Sequence, residues 1–153
     1  MPSDWIVVAD ASRAFVDTNV LLYAHDASET VKQPIARSVL EALWQEGTGA
    51  LSTQVLQEFY VVATKKLRRP LARDEAREIV QLYATWPVVV IDPMLVLAAT
   101  RIEEGHQLSF WDALIVEAAR ISGAERLITE DLQAGRVVEG VRFENPFVGA
   151  TMA

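Results

Sequence analysis

The stretch of sequence that decides the fold is AFVDTNVLLYAH, which occupies residues 14–25. Three apolar residues predict a short buried strand, and residues 20–25 predict a short helix after it. The same alternation continues along the chain. Helices are predicted at residues 31–46, 54–67, 74–85, 93–104 and 109–121, and strands at 50–52, 88–91, 126–129 and 141–143. This order predicts an α/β domain with a central, mainly parallel β-sheet flanked by helices and joined by right-handed crossovers.

The chain of 153 residues is long enough for one domain and too short for two comfortable ones. Residues 1–12 precede the alternating pattern, so we predict a peripheral N-terminal extension there and a single domain over residues 13–153. Residues 6–9 could add an edge strand. Residues 88–91 are all apolar, which is typical of a strand buried on both faces.

Composition excludes several classes of protein. With 51% hydrophobic and 23% charged residues, the chain is that of a folded globular protein. It contains no cysteine, so disulfides, zinc–thiolate sites and thiol catalysis are excluded. No apolar run approaches the ~20 residues of a membrane span, and the N-terminus lacks the features of a signal peptide. We therefore predict a cytoplasmic protein without a membrane partner.

The net charge of −7 taken alone argues against a nucleic-acid partner, since a negative surface repels phosphate. Clustered acids that hold divalent cations would reverse this argument, because each ion brings two positive charges to the place where phosphate approaches. The acidity is therefore compatible with either interpretation.

Two aspartates come soon after predicted strands. Asp17 comes after residues 14–16, and Asp131 comes after the strand that ends at Thr129. In open parallel sheets, ligands bind beyond the carboxyl ends of the strands, so both acids are candidate ligands. Aspartate is also a favoured helix cap, and each could instead cap the helix or turn that follows it.

Two further acids lie on predicted helices. Ser109 and Asp112 have the spacing of a capping box, but the helix they open is apolar nearly all round and therefore buried. Its first turn is expected near the end of the sheet. Glu58 lies at the boundary between the apolar and polar faces of its helix, where a side chain is either solvated or lines a cleft.

Other acids have structural explanations. Asp92 before Pro93 is typical of a helix N-cap. Glu117 and Arg120 are predicted to pair on an exposed strip of their helix. The motifs HExxH, GxSxG, Walker A and GxGxxG are absent. Phosphate chemistry would then have to be metal-based, and carboxylates suit Mg²⁺ or Mn²⁺.

Four segments together resemble the PIN-domain ribonucleases, and among them most closely the VapC toxins of bacterial toxin–antitoxin pairs. FVDTNVLLYA at residues 15–24 resembles the opening strand and helix of that family. The next three motifs, in the same order, are LSTQVLQEF at 51–59, LSFWDALI at 108–115 and LITEDLQ at 127–133. Residues 138–147 resemble the closing segment, so the likeness covers roughly residues 14–148.

The resemblance implies an acidic pocket for Mg²⁺ or Mn²⁺ formed by Asp17, Glu58, Asp112 and Asp131. Three polar neighbours would orient these acids or a bound water, although each is also explained by local hydrogen bonding: Thr18, Asn19 and Thr129. The implied activity is cleavage of RNA phosphodiesters by metal-activated water, as the toxin of a type II toxin–antitoxin pair. Implied partners are RNA, a cognate antitoxin that occludes the site and a second copy of the chain as a homodimer.

The main concentration of basic residues comes at the end of the third predicted helix and beyond: Lys65, Lys66, Arg68, Arg69, Arg73 and Arg77. Lys65 shares a helix face with Glu58, so an RNA backbone could pass over Lys65 and Arg69 toward the acids. A solvated helix end explains the same residues.

Two other classes remain open from the residues alone. One is a different Mg²⁺-dependent phosphohydrolase or a phospho-acceptor domain on an α/β sheet, with Asp17 as the nucleophile. The other is a non-catalytic binding module in which the acids are only caps.

Overall fold

Short apolar segments alternate with longer amphipathic ones, and this order determines the architecture. The computed structural model describes residues 12–149. Within them the strands are β1 Ala14–Val16, β2 Gly49–Ser52, β3 Val88–Val89, β4 Arg126–Ile128, β5 Val137–Val138 and β6 Val141–Glu144. The helices are α1 Thr18–Ala24, α2 Lys32–Glu46, α3 Thr53–Lys65, α4 Arg73–Tyr83, α5 Pro93–His106 and α6 Phe110–Ile121.

The strands form one sheet in the order β3-β2-β1-β4-β6-β5. Every neighbouring pair is parallel except β5 and β6. In the centre, Phe15 of β1 lies opposite Ala50 on one side and Leu127 on the other. All three residues of β1 are fully buried, as their apolar sequence requires. The predicted α/β fold with a mainly parallel sheet is confirmed.

Helix packing places the ends of α3 and α6 near the carboxyl edge of the sheet. Helix α6 contacts β2, β4 and β6, while α5 packs against α6. Helix α3 packs against α1 and α4. The buried side chains Phe15, Phe59 and Phe143 join these elements in one hydrophobic core. No helix within residues 12–149 is both long enough and apolar enough to cross a membrane.

The predicted helix caps are well supported by the structure. The Asp92 Oδ1 accepts a hydrogen bond from the Leu95 amide at 2.9 Å, and Pro93 follows at the first turn of α5. The Ser109 Oγ accepts from the Asp112 amide at 3.1 Å at the start of α6. Helix α1 begins at Thr18, two residues earlier than predicted, because Asp17 caps it.

Two strand predictions differ from the structure. Strand β3 has only two half-buried residues, Val88 and Val89, and the next residue, Val90, is 65% exposed. The prediction of a strand buried on both faces was wrong, because β3 pairs only with β2 at the sheet edge. Strand β5 was not predicted, since a two-residue strand in the hairpin around Gly140 is too short for a periodic signal.

One burial prediction was also wrong. Glu117 pairs with Arg120 as expected, but Glu117 is only 3% exposed. Helix α6 contacts the sheet on one side and α5 on another, so position 117 does not lie on a solvated strip. The predicted edge strand at residues 6–9, together with most of the predicted extension at 1–12, lies outside the described residues.

Candidate active site

Asp17 is the buried acid at the centre of the candidate site. It follows β1, is 6% exposed and serves as the N-cap of α1. Its Oδ1 accepts a hydrogen bond from the Thr18 amide at 2.7 Å, and its Oδ2 accepts from the Thr129 hydroxyl at 2.8 Å. The predicted helix cap is therefore confirmed for this residue, and its place at the end of β1 is the one expected of a candidate ligand.

Asn19 and Thr129 connect Asp17 to Asp131. The Asn19 Nδ2 donates to the Asp131 Oδ2 at 3.0 Å, and it lies 3.5 Å from the Asp17 Oδ2. The Thr129 hydroxyl, which donates to Asp17, accepts from the Asp131 amide at 3.1 Å. The Asn19 Oδ1 accepts from the Glu130 amide at 3.2 Å, which fixes the loop after β4. The loops after β1 and β4 thus bring the two aspartates to one place.

Asp131 is exposed, in contrast to Asp17. The alternative prediction was that Asp131 caps a turn at residues 132–133. Within residues 12–149, its carboxylate accepts no hydrogen bond from the amides of that turn. The hydrogen bond from Asn19 instead directs its carboxylate toward the loop after β1. Thr18 is 5% exposed, and its hydroxyl has no hydrogen-bond partner within the described residues.

Glu58 is exposed on α3, and a glutamine one turn earlier holds it. The Gln54 Nε2 donates to the Glu58 Oε1 at 2.9 Å and lies 3.5 Å from the Trp111 carbonyl oxygen. Gln54 itself is 7% exposed. Gln54 was not identified from the sequence as a partner of Glu58. The available signal was the i,i+4 spacing of an amide and an acid on one helix face.

Asp112 lies in the first turn of α6 and is half-buried. Burial raises its pKa, the hydrogen bond from Ser109 opposes that rise, and the charge of Asp131 adds to it. Of the predicted capping box, the structure shows the hydrogen bond from the Asp112 amide to Ser109. The carboxylate of Asp112 lies close enough to Asp131 for the two negative charges to repel each other.

The same repulsion affects Asp17. Burial raises the pKa of Asp17 to about 7, and the hydrogen bonds from Thr129 and Thr18 only partly offset this. The negative charges of Asp131 and Glu58 contribute to the same rise and are included in the value of about 7. All four acids are therefore linked by electrostatic repulsion, since Asp131 acts on both Asp17 and Asp112.

The donor chemistry of this site fits a hard divalent cation, since the four acids supply only carboxylate oxygens. None of them takes part in an ion pair within residues 12–149, so no cation of the described chain neutralises them. In the same part of the chain, no three acidic or histidine side chains are close enough together to hold a metal ion as they stand. Asn19 and Thr129 bridge the two aspartates Asp17 and Asp131. Glu58 on α3 lies close enough to Asp17, and Asp112 on α6 close enough to Asp131, for their charges to interact.

The structure does not join the predicted RNA-contact residues to these acids. Lys65 is in the last turn of α3, Arg69 is in the loop that follows, and both are exposed. Within residues 12–149, neither forms an ion pair with any of the four acids. Their contact with RNA stays a prediction.

The family follows from comparison with known proteins. The model of the PIN domain family matches residues 14–139, which is most of the chain, and the protein belongs to this family. Nucleases of the PIN family generally depend on divalent metal ions. The prediction of a PIN-domain protein is confirmed, whereas no curated protein sequence is significantly similar to the chain.

Solved structures support the same fold. A toxin–antitoxin complex from Klebsiella pneumoniae shares 21% identity and a TM-score of 0.63, over 87% of this chain and 97% of that one. DNA-bound VapBC from Salmonella typhimurium shares 18% identity with a TM-score of 0.61, and the match covers 88% of this chain and 98% of that one. The sarcin-ricin loop cleaving toxin VapC20 of Mycobacterium tuberculosis shares 20% identity with a TM-score of 0.54, and the match covers 74% of this chain and 86% of that one. At these identities the likeness establishes the fold alone.

Proposed function

We propose that the protein is a metal-dependent endoribonuclease and the toxin component of a type II toxin–antitoxin pair. The observation that carries this proposal is the burial of Asp17 beside Asp131 without a neutralising cation among residues 12–149. Burying an unpaired carboxylate costs free energy, and such groups are typical of functional sites. Membership of the PIN family and the likeness to toxin structures support RNA as the substrate.

The proposed metal ligands are Asp17, Glu58, Asp112 and Asp131, with Mg²⁺ or Mn²⁺ as the ion. Carboxylate oxygens without nitrogen or sulfur donors favour these ions over Zn²⁺. A bound cation would also remove the mutual repulsion that raises the pKa values of Asp17 and Asp112. When bound, the ion supplies an activated water and counters the charge that develops at phosphorus.

The residues of the chain have separate tasks in this proposal. Thr129 and the Thr18 amide fix the two oxygens of Asp17, so that this carboxylate has one orientation. Asn19 fixes Asp131, and Gln54 fixes Glu58. A pocket whose ligands are already oriented requires little reorganisation when the substrate arrives.

We further propose a cognate antitoxin and a second copy of the chain as partners. The support is the likeness to toxin–antitoxin assemblies from Klebsiella pneumoniae and Salmonella typhimurium. A small gene immediately upstream, whose product co-purifies with this chain and blocks cleavage, is the expected antitoxin. A product that binds without blocking cleavage would contradict occlusion of the site.

The central experiment compares two aspartates at helix starts. The purified chain is incubated with RNA in Mg²⁺ or Mn²⁺ and in chelator, beside the variants Asp112→Asn and Asp92→Asn. We expect cleavage only with the cation, loss of cleavage in Asp112→Asn and normal cleavage in Asp92→Asn, because asparagine also caps helices. Cleavage that persists in chelator or in Asp112→Asn overturns the proposal. A phosphorylated Asp17 would favour phospho-acceptor chemistry instead.

A further inference from the structure

Trp111 is a large aromatic side chain that the described structure leaves uncovered. It is 66% exposed and directly precedes Asp112 in the first turn of α6. We propose that Trp111 is a stacking platform for an unpaired base of the RNA, next to the phosphate that is cleaved. This inference rests on the proposed ribonuclease function and adds a specificity-determining residue to it.

The backbone of Trp111 lies between two of the proposed metal ligands. The Gln54 Nε2 that donates to Glu58 at 2.9 Å also lies 3.5 Å from the carbonyl oxygen of Trp111. The next residue in the chain is Asp112. The indole is therefore carried on backbone that Gln54 connects to Glu58 and that continues directly into Asp112. If these acids hold the cation, a bound phosphate lies close to this backbone.

The neighbouring aromatic ring limits the movement of the indole. The rings of Phe110 and Trp111 meet edge to face, with centroids 5.2 Å apart and an interplanar angle of 73°. Aromatic pairs in this geometry are attractive, so the indole is held rather than free to rotate. A held, exposed ring loses little conformational entropy when a base stacks on it.

Gln54 provides an independent observation at the same contact. Its side chain is 7% exposed, and its Oε1 is buried without a hydrogen-bond partner within the described residues. The carboxylate of Glu58 accepts only, so it fixes the Nε2 toward itself and leaves the Oε1 as the open acceptor. The contact between Gln54, Glu58 and the Trp111 backbone thus contains a buried acceptor without a donor, which in a native structure calls for an explanation such as a functional role.

The surroundings of Trp111 favour a base over a protein partner. A stable protein interface requires a broad contiguous surface, about 800 Å² on each side. The exposed Ile121 is ten residues further along the same helix, about 15 Å away. An exposed aromatic ring beside proposed metal ligands is the kind of platform used in single-strand recognition, where each base stacks on one ring. The substrate is therefore expected to be unpaired at this nucleotide, as in a loop.

Binding is measured by fluorescence anisotropy with an RNA that the wild-type chain cleaves. Each protein carries Asp17→Asn, so that the RNA stays intact during the measurement. We compare Trp111→Ala, Trp111→Phe and the matched control Ile121→Ala, which removes another exposed apolar side chain of α6. We expect about a tenfold loss of affinity for Trp111→Ala, partial rescue by phenylalanine and no change for Ile121→Ala.

An abasic nucleotide provides the decisive cross-check. Placed beside the cleaved phosphate, it should weaken binding when Trp111 is present and have no further effect in Trp111→Ala, because the stacking partner is already missing. Unchanged affinity in Trp111→Ala, or an equal abasic effect in both proteins, overturns the inference. Loss of antitoxin binding or self-association alone would assign Trp111 to a protein interface and overturn it too.

The ribonuclease activity and the stacking role of Trp111 are contradicted by different results. A wild-type chain that neither binds nor cleaves RNA removes the ribonuclease proposal and this inference with it. A wild-type chain that cleaves RNA normally, beside a Trp111→Ala chain with the same KM and kcat, removes only the stacking role. A higher KM with unchanged thermal stability is the expected result.

Discussion

Two buried carboxylates, Asp17 and Glu117, differ in how their charge is compensated. Asp17 is 6% exposed and Glu117 is 3% exposed. Glu117 accepts two hydrogen bonds from the Arg120 guanidinium, each at 2.7 Å. Asp17 receives hydrogen bonds only from neutral groups, and burial, together with the charges of nearby acids, raises its pKa to about 7. Glu117 is neutralised within the chain, whereas Asp17 lies near other acids, as is expected of a ligand for a cation from outside the chain.

The surroundings of the two acids differ as well. Glu117 lines a cavity of about 340 Å³ together with Arg101, His106 and Glu139, whereas Asp17 lies beyond the ends of β1 and β4. The presence of a cavity beside an acid therefore does not identify the candidate site by itself. Uncompensated charge at the carboxyl edge of a parallel sheet is the better guide to the candidate site.

The largest expected difference between the two acids is in catalysis. Asp17→Asn should lower the rate of RNA cleavage by about 10³-fold, because a fixed ligand for the cation is lost. Glu117→Gln should cleave at close to the wild-type rate, since it lies apart from the four acids. Initial rates at saturating Mg²⁺ and RNA measure both variants. Equal losses in the two would remove the distinction drawn between them.

Metal binding should stabilise the folded chain only when Asp17 is intact. With free Mg²⁺ or Mn²⁺ at 100 times its Kd, we expect about 2.7 kcal/mol of added stability, seen as a higher Tm. Glu117→Gln should keep this shift and Asp17→Asn should lose most of it. A full shift in Asp17→Asn would place the ion elsewhere.

The third expected difference between Asp17 and Glu117 is in how the stability of the folded chain depends on pH. The pKa of Asp17 is raised from 3.8 to about 7, so the folded, metal-free chain loses stability as the pH rises through this range. Asp17→Asn should therefore be more stable than the wild-type chain by about 2 kcal/mol at pH 8, and the gap should close toward pH 4. Denaturant unfolding in chelator measures this.

In the same unfolding measurements, Glu117→Gln should change the free energy of unfolding in the direction opposite to that of Asp17→Asn. It should destabilise the chain by about 1 kcal/mol, because Arg120 loses its partner but is itself half exposed to water. If Asp17→Asn is also destabilising at pH 8, the burial of Asp17 carries no electrostatic cost and the comparison fails.

Asn19 tests whether hydrogen bonding orients the acids. Asn19→Ala removes the donor to Asp131 and the acceptor for the Glu130 amide, so we expect about a tenfold loss of Mg²⁺ affinity. The titration follows the Tm at increasing Mg²⁺, and cleavage at saturating Mg²⁺ should recover most of its rate. An unchanged affinity would reduce Asn19 to local hydrogen bonding at the start of α1.

The smallest effect is expected at the basic residues. Reversing Lys65 and Arg69 to glutamate should weaken RNA binding a few-fold and reduce the salt dependence by about one unit for each lost phosphate contact. Arg101→Glu, beside the Glu117 cavity, is the matched control and should leave both quantities unchanged. Affinity and salt dependence that match the wild-type values would remove the predicted RNA contact.

Parts of the candidate site could be predicted from the sequence because strand order constrains them. Asp17 and Asp131 each follow a short apolar strand, and parallel neighbours bring their carboxyl ends together. Glu58 and Asp112 were identified through the order of their motifs, since a helix position alone does not reveal which neighbour it faces. Gln54 was missed because its burial depends on the approach of α6 to α3.

The sequence by itself determined the alternation of elements, the caps at Asp92 and Ser109, and the acids at the strand ends, since each depends on residues near one another in the chain. Only the tertiary structure decided that Glu117 is buried, that β3 is an exposed edge and that Gln54 joins Glu58 to Trp111. These features depend on which elements pack together, and local sequence does not encode the distance between α3 and α6. Asp17 belongs to both groups, because its position came from sequence and its uncompensated charge from packing.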